Sequence, residues 1–250
     1  MVSERQLIRG YRPWWARWTP GLDTNLIMRI TNQQDRSPGQ VLAWESPVFS
    51  TLPPRNSDLI AESAFGIFAY AAEAKVAVEL IPQDQVLIAV QRATDRILLL
   101  RGTGRSLEGL MTPEHIQFAK CLATRLLDWT SRLREKLEIQ PKLPGTGIVD
   151  TCHPDLICGT ELIEVKMSRN IFRLSDIHQL LVYSALAWLG TDRQIERVTL
   201  TNPMLGVAWS FELRSLIREI SGLSTPRFFD QFDEMSRGCI FSKDSLRFGE

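Results

Sequence analysis

The chain has 250 residues, with 29 Lys and Arg against 29 Asp and Glu and 44% hydrophobic residues. That length suits one large domain or two small ones with a sizeable core. The zero net charge excludes coating of nucleic acid by bulk charge but leaves room for a local basic groove. No run of about 18 or more apolar residues occurs, so no membrane span is expected. The amino-terminal stretch M-V-S-E-R-Q-L-I-R-G-Y-R is charged and has no apolar signal region, and the expectation is a cytoplasmic protein.

In chain order, the first 110 or so residues are rich in Trp, Pro, Gly and Gln. They include Y-R-P-W-W-A-R-W-T-P-G at 11–21, Q-Q-D-R-S-P-G-Q at 33–40 and S-T-L-P-P-R-N-S at 50–57. Strands are predicted at 25–31 and 40–44, a helix at 58–75 opened by Ser57 or Asp58, and strands again at 85–92 and 96–101. G-T-G-R-S-L-E-G-L at 102–110 reads as a loop and a boundary. Thr112-Pro113 then opens a long amphipathic helix to about Leu137, with Leu122, Leu126, Trp129 and Leu133 on its apolar face.

After P-K-L-P-G-T-G the pattern turns to strands at 148–152, 156–158 and 161–166. A helix follows from Ser175 to Leu189, stopped by Gly190, then strands at 197–201 and 207–211 around the turn N-P-M-L-G, and a short helix at 212–220. This order predicts an α/β (α+β) class: a mixed sheet flanked by helices over residues 111–250, preceded by an amino-terminal α+β region over 1–110. Four cysteines, Cys121, Cys152, Cys158 and Cys239, form no C-x-x-C and are expected as buried thiols.

The chemistry concentrates in P-D-L-I-C-G-T-E-L-I-E-V-K at 154–166. On a strand, Leu162, Glu164 and Lys166 share one face, and Ile163 and Val165 the other. If the preceding strand pairs antiparallel through a short hairpin, Asp155 comes close to Glu164. Two close carboxylates repel unless a cation sits between them. Mg²⁺ accepts carboxylate and water oxygens and keeps substrate phosphate as a further ligand. A lysine beside it can position or deprotonate a water, or stabilise charge on the phosphate. Gln179 and Tyr183, four apart on one face of the following helix, can reach the same sheet edge.

Together, Pro154-Asp155, Glu164-x-Lys166 and Gln179-x-x-x-Tyr183 resemble the PD-(D/E)XK nuclease superfamily, of restriction-endonuclease-like fold. The Q-x-x-x-Y element is similar to the branch with RecB-type and Cas4-type nuclease domains, and the resemblance covers roughly residues 112–220. It implies a metal-dependent DNA nuclease over 111–250. Asp155, Glu164 and the Val165 carbonyl would be ligands of Mg²⁺ or Mn²⁺. Lys166 would organise the attacking water, and Gln179 and Tyr183 would brace the site or touch the DNA backbone. Many members of the branch carry an upstream histidine ligand, for which His115 is the candidate, with Glu114 or Glu62 as substitutes. The downstream cysteine cluster of iron–sulfur members is missing, so no such cluster is expected.

No Walker A sequence occurs, so an ATPase or helicase, or another system subunit, is the expected protein partner beside DNA, with a homodimer as a further arrangement. The implied setting is a multi-component antiphage defence or restriction system. The alternatives are repair or recombination, transposon end-cleavage, or a non-catalytic DNA- or protein-binding subunit. Arg169 and Arg173, just after Lys166, are placed for phosphate contact. The three Trp of Y-R-P-W-W-A-R-W read either as a packing anchor or, less favoured, as a base-stacking surface.

Overall fold

Strand β4, Glu161–Val165, lies in the middle of the molecule and packs on both faces: Leu162 belongs to one hydrophobic cluster and Ile163 to the other. This is the period-2 alternation of a strand buried between two helical layers. The computed structural model describes residues 1–10, 12–23, 40–42, 47–48, 56–101, 111–170, 172–191 and 193–238. Among them, β1 (Gln40–Leu42), β2 (Leu137–Ile139), β3 (Leu156–Cys158), β4, β5 (Arg197–Asn202) and β6 (Val207–Glu212) form one sheet in the order β1-β6-β5-β4-β3-β2. The β4–β5 pair is parallel and every other pair antiparallel, so the sheet is mixed and the class is α+β, as the sequence predicts.

One face of the sheet is covered by α1 (Glu4–Gly10), α2 (Arg12–Trp18), α6 (Leu174–Gly190), α7 (Leu213–Ser221) and α8 (Thr225–Gly238). The other is covered by α3 (Ser57–Ala74), α4 (Gln83–Arg101) and α5 (Pro113–Thr130). Helix α6 is the crossover that a parallel pair requires. It carries the unbroken apolar run Leu180, Leu181 and Val182, all fully buried, and each such side chain contributes about 1.5–3 kcal/mol.

Trp14, Trp15 and Trp18 are all buried. Trp18 stacks on Phe228 at 4.4 Å between ring centres and donates its indole N–H to the Phe228 carbonyl at 3.2 Å. These rings are an anchor, and none of the three is open for a base to stack on. Residues 1–110 and 111–250 therefore share hydrophobic clusters, with α1 against α6, α2 against α8, and α3 against both α4 and α5.

Several local expectations change. Residues 85–92 and 96–101 are helix α4, not strands. Val86, Ala89, Ala93 and Ile97 are its buried positions, a helical spacing hidden under a continuous apolar run whose Leu87 and Ile88 face solvent. Helix α5 stops at Thr130 rather than near Leu137, and Leu137–Ile139 is an edge strand. Residues 148–152 make only isolated bridges, Val149 with Val2 and Thr146, and Cys152 with Leu143. Helix α6 begins at Leu174 after Arg173, not at a Ser175 cap, and α3 begins at Ser57. Helix α8 was not anticipated, although Phe228, Phe229 and Phe232 lie at helical spacing after Pro226. The strand predicted at 40–44 is present as β1 over Gln40–Leu42, while the strand predicted at 25–31, residues 43–44, the loop at 102–110 and Cys239 lie outside the described residues. Cys121, Cys152 and Cys158 are free thiols; Cys152 and Cys158 are buried as expected, but Cys121, on α5, is only partly so. No described helix is long and apolar enough to cross a membrane.

Candidate active site

The β3–β4 hairpin pairs Leu156 with Ile163, Ile157 with Leu162 and Cys158 with Glu161. Its register sets Asp155, one residue before β3, beside Glu164. Asp155 is pinned there by its own chain: the Val165 N–H donates to its Oδ2 at 2.8 Å, and the Gln140 N–H donates to its carbonyl at 2.8 Å. Val165 thus stands between the two acidic residues and Lys166. The Lys166 N–H in turn donates to the Thr201 carbonyl at 2.7 Å, which fixes the lysine backbone to β5.

Glu164 points toward α6 and is only 4% exposed. Its Oε1 accepts from Lys166 Nζ at 2.9 Å, and its Oε2 is buried with no hydrogen-bond partner. Lys166 Nζ also donates to Gln179 Oε1 at 2.8 Å, and Gln179 Nε2 donates to Tyr183 Oη at 2.8 Å. The predicted residues Asp155, Glu164, Lys166, Gln179 and Tyr183 therefore meet in one polar group between β4 and α6.

The electrostatics follow from burial. Burial and the neighbouring Glu164 push the Asp155 carboxyl well above the usual carboxylate range, against Lys166 and the Val165 N–H, and Glu62 adds to the rise. Burial pulls the Lys166 ammonium down, but Glu164, Asp176 and Asp155 outweigh it and hold it above the ordinary lysine value. Burial, then Glu164, raises the Tyr183 hydroxyl, so it stays protonated.

Two acidic residues join the group from outside the motif. Asp176, in the first turn of α6, places Oδ1 3.5 Å from Lys166 Nζ while its Oδ2 accepts the Arg173 N–H at 2.7 Å. An acid at the third position of a helix is a recognisable capping signal, but its second partner is visible only in three dimensions. Glu62 on α3 acts on Asp155 through charge and is ion-paired with Arg96 at 3.2 Å.

His115 is not part of this group. It lies in the first turn of α5, where Nδ1 accepts the Thr112 N–H at 3.0 Å and Nε2 is buried without a partner. Glu114 is occupied by the Thr112 hydroxyl at 2.6 Å. Of the two substitutes for His115, Glu62 is the one coupled to the site. His153 is exposed, with Nδ1 3.2 Å from the Gln140 carbonyl.

Among the described residues no group of three or more His, Cys, Asp and Glu side chains is arranged to hold a metal ion. The pair Asp155 and Glu164 nonetheless suits a hard cation. Both are acceptor-only when ionised, they repel each other, and Glu164 keeps a buried oxygen with nothing donating to it. A cavity of about 570 Å³ lies at the opposite strand ends, among Glu135, Glu161, Glu196, Glu212, Arg197 and Arg214. Its excess of carboxylates repels phosphate, and it is separate from the Asp155 group. No protein-family model matches the chain, and no curated protein or solved structure matches it.

Proposed function

We propose that the chain is a metal-dependent DNA nuclease that hydrolyses phosphodiester bonds, with a site similar to that of the PD-(D/E)XK superfamily. What carries this reading is one observation: residues of three separated motif elements come together, with Glu164, Lys166, Gln179 and Tyr183 in one hydrogen-bonded chain around an unsatisfied glutamate oxygen and Asp155 beside it, held by the Val165 N–H. A salt-bridged hairpin alone has no need of the α6 pair.

Asp155 and Glu164 would hold Mg²⁺ or Mn²⁺, with the Val165 carbonyl as a third ligand. The bound ion would supply Lewis acidity toward a phosphate oxygen and acidify a water. Lys166 is proton-bearing in this environment, so its role is to donate, orienting the attacking water or offsetting charge that builds on the phosphate. Gln179 fixes the direction of that ammonium, and Tyr183 fixes the direction of Gln179. The net charge of zero and the missing motor suit a subunit of a multi-component system, with antiphage defence or restriction as the proposed setting.

The test is cleavage of linear and circular, single- and double-stranded DNA with Mg²⁺, Mn²⁺ or EDTA, wild type beside Lys166→Ala. Cutting that needs the metal and is lost in the variant supports the reading. Absence of cutting together with metal-independent DNA binding assigns the chain to the binding-subunit class instead.

A further inference from the structure

The segment leaving the site, Met167 to Asn170, carries Arg169 and Asn170 exposed beside the buried polar group. Its two flanks are held independently. Lys166 is tied to β5 through the Thr201 carbonyl at 2.7 Å, and Arg173 is tied to Asp176 at 2.7 Å. Phe172 is anchored edge-on against Trp209 at 4.6 Å. Within the segment Met167 is buried and the Ser168 hydroxyl donates to the Asn170 carbonyl at 3.0 Å, and one side chain from β5 bonds to its backbone. Asn202, the last residue of β5 and fully buried, donates from Nδ2 to the carbonyls of Ser168 at 2.9 Å and Asn170 at 3.5 Å. Its other end does a different job: Oδ1 accepts the N–H groups of Met204 at 3.0 Å and Leu205 at 3.2 Å, closing the β5–β6 turn.

We infer that Asn202 is a positioning residue that fixes the 167–170 segment, and through it Arg169, against the phosphates of the DNA; this rests on the nuclease reading. The chemistry selects the residue type. An amide presents a donor and an acceptor at opposite ends of one planar group, and here both ends are used. Aspartate would aim a carboxylate at two carbonyl oxygens. Serine can still accept from the turn N–H groups, as hydroxyls do in turns, but is too short to reach Ser168. Because Lys166 is held separately, loss of Asn202's donor end loosens the substrate contact and leaves the reacting groups in place.

The test uses Asn202→Ser and Arg169→Ala in the full chain. Asn202→Ser is expected to raise KM for double-stranded DNA about tenfold with kcat within about threefold. It is also expected to speed deuterium uptake at 167–170. Arg169→Ala alone raises KM similarly, and the double variant raises it no further, since Asn202 acts through Arg169. Additive effects, or a fall in kcat matching that of Lys166→Ala, overturn the positioning role. If Asn202→Ser fails to fold, Arg169→Ala still decides, because it is exposed and unchanged KM there overturns the phosphate role. A wild type that cuts no DNA overturns the nuclease reading, whereas unchanged uptake in Asn202→Ser overturns the bracing whatever the activity.

Discussion

Gln179 uses both ends of its amide: Oε1 takes a hydrogen bond from the Lys166 ammonium and Nε2 gives one to the Tyr183 hydroxyl, each at 2.8 Å. A helix residue is thereby made the orienting partner of a strand lysine. Replacing Gln179 with Ala should lower kcat about 10–100-fold, the usual effect of losing an orienting partner, while DNA affinity changes little. Gln179→Glu adds a carboxylate to a site already crowded with them and should be at least as harmful. Single-turnover cleavage, with binding measured in Ca²⁺, separates the two quantities.

Asp155 is held where its charge is unwelcome, and that sets activity against stability. Asp155→Asn should stabilise the metal-free protein by about 1 kcal/mol at neutral pH and abolish cleavage. A carboxyl whose folded pKa is raised makes the protein less stable as pH climbs from about 4 through the folded pKa, and the asparagine variant should lose that slope. Mg²⁺ should raise the wild-type Tm, by the equivalent of about 2.7 kcal/mol at a hundred times Kd, and leave Asp155→Asn unmoved. Denaturant melts with and without Mg²⁺ decide both points.

His178, next to Gln179, stacks on Trp15 at 3.9 Å, its Nε2 lies 3.3 Å from the Thr19 hydroxyl, and burial lowers its pKa to about 4. The fold favours the neutral ring, so its contribution is intact above the unfolded value near 6.5 and is lost as pH falls toward 4. Between pH 7 and pH 5 the wild type should lose about 2 kcal/mol through this group. Asp155 works in the opposite direction over the same range, so the difference between wild type and His178→Asn isolates the effect. Urea unfolding at both pH values is the measurement, and a difference that stays constant with pH would sink the idea.

Trp18 has no exposed surface and lies among Trp14, Trp15, Phe228 and Phe232. Trp18→Ala should cost about 3–5 kcal/mol through lost burial and the cavity left behind. A cost below about 1 kcal/mol would mean that the amino-terminal helices are not part of the core. Whatever activity the folded fraction retains should keep the wild-type KM, because no substrate contact is proposed for this cluster.

The strands and the motif were legible because their physics is local. The alternation along E-L-I-E-V-K put Glu164 and Lys166 on one face, and the four-residue spacing put Gln179 and Tyr183 on another. These periods hold wherever the segment lies. Helix α4 was misread for a local reason too, since its apolar run of Val, Leu, Ile and Ala fits either period until burial picks out Val86, Ala89, Ala93 and Ile97. The edge strand at Leu137–Ile139 was swallowed by the helix before it, since three residues carry no period of their own.

What the sequence by itself determined was the residue types of the site, the faces they occupy and the α+β order of the elements. Tertiary structure alone decided that Asp176 lies beside Lys166, that Asn202 holds the segment after it, that His115 does not join the group, and that Trp14 and Trp18 near the amino terminus pack against α8 more than 200 residues away. Those contacts span separations over which the chain carries no repeating signal. They are selected by how the two helical layers close on the sheet and by the cost of leaving buried polar atoms without partners there.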